Sequence, residues 1–323
     1  MKKRRFSLSF LAISLILSFL LGGCVTVNPG LTPAAPAVES QVPVPDSATK
    51  EPEIKVATSV PEPSQPLLTE DAILNMQYDS ALAQAPVTLV NGRFSGEING
   101  MSLTAVVEPG IAFGDLNQDG ILDGALLIAE NAGGSGTFVS LLVVYSRQGQ
   151  FQVSPAVTID DRPVINSMTI DEGVVKLSAL VHAPNDPMVS PSTSIQSEYR
   201  LFGTSLVQSQ LVSAFAGSAE HRIIIEAPVE GEQVQSAFNL RGSMPVGPFE
   251  NTLKLTILDE SGNVLLEEGF MVQAEDMGLP ALFDSPVVVP EDSAGTRLLV
   301  TLSEISMADG KPMAVESVMV IRQ

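Results

Sequence analysis

The residues Asp115-Leu116-Asn117-Gln118-Asp119-Gly120-Ile121-Leu122-Asp123 place oxygen donors at alternate positions. Side chains at 115, 117 and 119, a glycine that permits a tight reversal, the backbone carbonyl of Ile121 and the carboxylate of Asp123 make a loop able to wrap Ca2+. The closing bidentate glutamate of an EF-hand would fall at Leu126, so the loop is not one of those. The alternative is an Asx-rich hairpin that needs no ion. In both forms its role is structural, not catalytic.

Catalytic sets are weaker. His182, Asp186 and a serine such as Ser135 could be combined into a hydrolytic triad, but no G-x-S-x-G fixes a nucleophile. His182 is expected as a loop histidine. His221 lies far along the chain, so a two-histidine metal site would need two domains and is not expected. Asp160-Asp161 and Glu267-Glu268 are neighbours on strands and point to opposite faces, so they read as solvated charge runs. Ala132 to Thr137 is glycine-rich but lacks the lysine of a phosphate loop and precedes a strand, which makes it a hairpin loop. The chain is therefore read as a non-enzyme.

The single cysteine, Cys24, has no second thiol for a disulfide or a metal cluster. Ahead of it Lys2, Lys3, Arg4 and Arg5 precede an apolar run from Leu8 to Leu21, broken only by Ser9, Ser14 and Ser18. That run is shorter than the ~20 residues of a spanning helix and has the layout of an export signal. Leu21-Gly22-Gly23-Cys24 resembles a bacterial lipobox. The resemblance implies cleavage between Gly23 and Cys24, a diacylglycerol and palmitate-type anchor on the thiol, and an extracytoplasmic protein held to a membrane. Two or more acyl chains hold firmly where one is marginal. Val25 is not the aspartate that some diderm bacteria use for retention, so inner and outer membrane stay open.

Seventeen Lys and Arg face 37 Asp and Glu, and loss of the four basic signal residues takes the net charge from −20 to −24. Nucleic acid and anionic headgroups select clustered positive charge and are poor partners. Trp is absent and Tyr occurs three times, so aromatic platforms for sugars or bases are scarce.

These residues must be positioned by the rest of the chain. Residues 1–23 are the signal and 24–66 a Pro-rich, disordered tether without aromatics or hydrophobic periodicity. Thr69 reads as the N-cap of one short helix, with Glu70 and Asp71 in its first turn. Over residues 67–212 alternating runs and the turns Asn91-Gly92, Asn99-Gly100 and Gln148-Gly149 predict a mostly antiparallel β-rich domain. Residues 213–222, small and polar, form a joint. About seven short strands over 223–323 predict an immunoglobulin-like β-sandwich whose core lacks both Trp and a disulfide. The fold class is thus mostly β.

Within 223–323 the pattern of Ile225, Pro228, Gly231, Val234, Gly242, Phe249-Glu250, Leu258-Asp259, Gly262, Phe283, Gly295 and Asp309-Gly310 resembles the immunoglobulin-like domain of bacterial spore-germination proteins. Met277-Gly278-Leu279-Pro280 stands where relatives often carry an aromatic-rich segment. Phe113-Gly114 ahead of the acidic loop makes it similar to loops of integrin-type repeats, but it occurs once rather than in series. Together with the glycine-rich loop and His182-Ala183-Pro184-Asn185-Asp186-Pro187 it resembles an uncharacterised extracytoplasmic domain, whose cysteines after that proline are replaced by Met188-Val189-Ser190. The expectation is a membrane-tethered envelope lipoprotein that binds or organises a cell-wall or envelope protein partner. The rival is an envelope hydrolase, or its accessory subunit, with a site formed by Asp115 to Asp123 and His182.

Overall fold

Thr69 caps the first element as expected: its Oγ1 accepts the Ala72 N–H at 3.2 Å and starts helix α1 (Glu70–Leu74). The computed structural model describes residues 67–323 except 216, 277 and 290–295; Cys24, the signal, the tether, Met277 and Gly295 lie outside the described residues. About 59% of the described residues are strand and 3% helix, a mostly β fold.

The helix is followed by a small hairpin, β1 (Gln77–Asp79) and β2 (Pro86–Thr88). Next comes a seven-stranded sheet of β3 (Arg93–Ile98), β4 (Met101–Val107), β5 (Ala112–Gly114), β6 (Asp123–Asn131), β7 (Phe138–Arg147), β8 (Gln150–Val153) and β9 (Val157–Asp161). Its centre is β6 and β7, whose apolar runs have no polar face. Alternation sends Leu126, Ile128, Leu142 and Val144 into a core under α1 and the small hairpin. Ala125, Leu127, Leu141 and Val143 enter a second core on the opposite side.

That second core is closed by β10 (Val164–Asp171), β11 (Val174–Val181), β12 (Thr193–Phe202) and β13 (Ser205–Ala214), an antiparallel meander. Gly203, at φ +65°, makes the β12–β13 turn, and a Cβ there would stand 2.8 Å from the Glu260 carbonyl oxygen.

The C-terminal region contributes β14 (Ile224–Ala227), β15 (Glu232–Val234), β16 (Ala237–Met244), β17 (Thr252–Leu258), β18 (Val264–Met271), β19 (Gln273–Ala274), β20 (Ala281–Val288), β21 (Arg297–Ile305) and β22 (Pro312–Arg322). The four-stranded sheet β14-β16-β20-β19 packs on β22-β21-β17-β18. Leu240, Met244, Phe283 and Val287 from the first meet Leu253, Leu255, Phe270, Leu298, Val300 and Val320 from the second. Phe270 and Phe283 meet edge to face at 5.6 Å in a core that holds no Trp. The short β15, which sequence periodicity did not reveal, pairs parallel with β22.

The two regions share one sheet through the pairing of β13 with β22. Gln210 pairs with Glu316 and Leu211 with Val315, so β13 and β22 join the meander and the sandwich into one nine-stranded sheet. Ala179, Ile195, Leu211 and Val315 pack at this seam. Ser213 and His221 exchange reciprocal backbone bonds of 3.1 and 2.8 Å.

Candidate functional site

The last residue of β9's register with β7 places chemistry at the seam. Val139 pairs with Asp160 and Phe138 with Asp161, whereas Ser140 pairs with Thr158, so a bulge interrupts the alternation. Asp160 and Asp161 are both buried, at 7% exposure each. The expectation of a solvated charge run is corrected here: the bulge and the neighbouring β11 end give each carboxylate its own protein partners.

Asp160 Oδ2 accepts the His182 backbone N–H at 2.6 Å and faces His182 Nδ1 at 2.8 Å. Its Oδ1 accepts from Lys311 Nζ at 3.0 Å, across the seam from the β21–β22 turn. Burial pushes the Asp160 carboxyl up, but the bonds from His182 and the Lys311 ammonium outweigh it, and the group is held below the usual carboxylate range. Asp161 turns away to the Thr137 N–H at 2.7 Å and to a two-pronged pair with Arg162; that guanidinium holds it low as well.

His182 and Asp160 line a cleft of about 620 Å3 between β9, the β11–β12 connection and the β21–β22 turn. Val157, Ile159, Val181, Ile195 and Leu211 supply its apolar wall, and Tyr199 and Gln208 its floor. The His182 side chain is 8% exposed, and its Nε2 is buried without a hydrogen-bond partner.

The triad considered from sequence is not assembled. Asp186 does not bond His182; its oxygens accept the Ala183 N–H, the Ser192 N–H and the Ser192 hydroxyl at 2.8–2.9 Å, which closes the loop 183–192. Ser135 is exposed in the β6–β7 connection and does not line the cleft. His221 has its own carboxylate, with Nδ1 2.9 Å from Glu304 Oε2, and stacks edge-on against Phe215. Glu267, by contrast, is exposed and pairs with Lys254 at 2.9 Å.

The acidic loop is stitched together by its own backbone. Asp115 accepts from the N–H groups of Asp119 and Gly120, and Asp119 from that of Ile121, at 2.8–3.2 Å. Asn117 donates to the Ser146 carbonyl at 2.6 Å. Asp123 is fully buried, with its oxygens 2.9 Å from the Leu116 and Ser146 N–H groups. Burial raises its pKa, with those two N–H bonds opposing and Asp119 and Asp115 adding to the rise. Among the described residues no group of three or more His, Cys, Asp or Glu side chains is arranged to hold a metal ion.

The loop packs by its backbone against Gly173, just ahead of β11, while His182 follows the other end of that strand. Eight residues at ~3.3 Å each separate them by roughly 26 Å. A hydrolase site built from both is not what this fold brings together.

The C-terminal sandwich supplies a further landmark. Phe249–Asn251 forms a single tight turn, with Glu250 and Asn251 at φ +54°, that delivers the chain into β17. Gly242 on β16 lies beneath Phe283, where a Cβ would come 1.9 Å from the Ile224 carbonyl oxygen. Residues 222–311 match the family described as the immunoglobulin-like domain of bacterial spore germination. No curated protein and no solved structure matches the chain. The germination-type domain supports a non-enzymatic binding or structural module, and it contributes Lys311 to the cleft. Among the described residues no helix is long and apolar enough to cross a membrane.

Proposed function

We propose that the chain is a non-enzymatic binding module of the bacterial cell envelope, lipid-anchored through Cys24 and carried outward on residues 24–66. The observation that carries the binding half is the seam cleft. Asp160 is committed to both His182 Nδ1 and Lys311, and among the described residues no hydroxyl or thiol bonds His182 Nε2. An acid–base pair without a nucleophile in reach serves recognition better than covalent hydrolysis. The anchoring half rests on the basic end, apolar run and Leu21-Gly22-Gly23-Cys24 sequence, and the cell wall or an envelope protein is the proposed surrounding partner.

Two measurements test it. An alkynyl fatty acid fed to an expressing bacterium labels the chain and brings it to the membrane fraction, and Cys24→Ser abolishes both. The purified protein gives no turnover of 4-nitrophenyl acetate above buffer. Turnover that disappears in His182→Ala would overturn the binding reading in favour of the hydrolase.

A further inference from the structure

The seam cleft joins an apolar interior to a charged mouth, and on the reading of the chain as a binding module the balance of that charge names a ligand class. Ile195 and Leu211 in its wall are buried, whereas Asp309 and Lys311 are exposed and Asp186 is half-buried. The cations of the cleft are already committed. Lys311 holds Asp160 at 3.0 Å and Arg162 holds Asp161 at 2.9 Å, so those two carboxylates are matched within the protein.

Asp186 and Asp309 also line the cleft, and neither forms an ion pair with a described residue. Asp186 accepts only from neutral groups: the Ala183 N–H, the Ser192 N–H and the Ser192 hydroxyl. The Ala183 bond leads in holding its carboxyl below the usual carboxylate range; the His182 ring adds to this through space, although its Nδ1 is bonded to Asp160. Asp309 accepts only the Lys311 backbone N–H, at 3.3 Å. Two carboxylates at the mouth are therefore without a counter-charge. A cation with an apolar body is favoured by both parts of the cleft, an anion of the same shape is repelled at the mouth, and a neutral molecule is held by the wall alone. The volume of about 620 Å3 falls in the range of small-molecule sites.

We infer that the cleft binds a small organic ammonium ion, its charged nitrogen at the mouth beside Asp186 and Asp309 and its apolar body against Val157, Ile159, Val181, Ile195 and Leu211. Asp309 and Lys311 belong to the germination-type domain and the apolar wall to the first β region, so the bound ion bridges the two. The Lys311 ammonium opposes the ligand's charge and lowers its affinity.

The test uses the full chain with Cys24→Ser, which stays unlipidated, and three probes that share one body: 2-naphthylmethylammonium, 2-naphthylmethanol and 2-naphthoate. Calorimetry at neutral pH and low salt is expected to rank the ammonium ion about fivefold or more above the alcohol, with naphthoate weakest. Asp309→Asn keeps an acceptor for the Lys311 N–H and should lower the ammonium-to-alcohol ratio about twofold or more. In a chain of net charge −20, one such change would leave a nonspecific attraction almost unmoved. Lys311→Met should raise the ratio. In protein with 13C-labelled methyl groups, the ammonium ion should shift Ile159, Ile195 and Leu211 and leave Leu253 and Leu255 of the sandwich core in place. Equal affinities for ammonium ion and alcohol, a ratio unmoved by Asp309→Asn, or tightest binding of naphthoate would overturn the cationic assignment while leaving a binding cleft. Failure of all three probes to bind would overturn the cleft as a small-molecule site, and the 4-nitrophenyl acetate assay judges the non-enzymatic reading separately. The ranking in the otherwise unmodified chain stands whether or not a variant folds.

Discussion

Lys311 Nζ lies 3.0 Å from Asp160 Oδ1, a pair that spans 151 residues of sequence and ties the germination-type domain to the first β region. Asp160 is 6% exposed at its side chain while Lys311 is 53% exposed, so the two partners have unequal stakes. Removing the buried carboxylate strands the His182 backbone N–H and its ring N–H, while the exposed ammonium is taken up by water.

Asp160→Ala is therefore expected to lower unfolding stability by about 2–4 kcal/mol, and Lys311→Met, at the solvent side, by only ~1 kcal/mol. Urea denaturation checks both. The Asp160 pKa is depressed on folding, so its contribution is present above the unfolded carboxylate value and is lost as pH falls through the depressed one. The gap between wild type and Asp160→Asn should close on acidification. Equal losses for Asp160→Ala and Lys311→Met would contradict the assignment of burial.

Glu316 on β22 behaves in the opposite sense. Burial pushes its carboxyl from 4.5 up to about 7, with the Gln210 amide bond opposing and Glu198 adding to the rise. A raised folded pKa means that stability is fully present below the unfolded value and lost as pH rises through about 7. Glu316→Gln should match wild type near pH 4 and be more stable by roughly 1–3 kcal/mol at pH 8. Melts across that range decide it, and a variant less stable at pH 8 would refute it.

The acidic loop can be tested by metal removal. Because its carboxylates accept the loop's own N–H groups, melting temperatures in calcium and in chelator are expected to agree within about 2 °C. Asp123→Ala, which leaves the buried N–H groups of Leu116 and Ser146 without their acceptor, should cost about 2–4 kcal/mol in both conditions. A larger rise in calcium that Asp119→Ala removes would restore the cation reading.

In the sandwich, Gly242→Ala must push a methyl group against the Ile224 carbonyl oxygen and the Phe283 ring. Strand β14 or Phe283 has to move, and a loss of about 2–4 kcal/mol is expected in urea denaturation. A near-neutral variant would show that β14 is not held as described.

Much of the architecture was legible because it depends on local pattern. Thr69 before Glu70-Asp71 predicted a cap, Asn-Gly and Gln-Gly pairs predicted turns, and Phe249-Glu250 with Gly242 carried the resemblance to the germination-type domain. Glycine at 242 and a tight reversal at 249–251 answer steric demands of this sandwich. The three-residue β15 was missed because its parallel partner, β22, lies more than 80 residues further on, and no periodicity marks so short a segment.

The cleft was not legible. His182 stood out as one of two histidines, but its partner was sought four residues away at Asp186, whereas the fold supplies Asp160 from another strand and Lys311 from another domain. Sequence alone fixes residue chemistry and short-range geometry: the lipobox-like end at Cys24, the acidic balance, the capping and the β periods. Which carboxylate is buried beside which ring depends on strand order, on the bulge in β9 and on the pairing of β13 with β22. Those are decided by packing between distant segments, so only the tertiary structure could bring Asp160, His182 and Lys311 to one place.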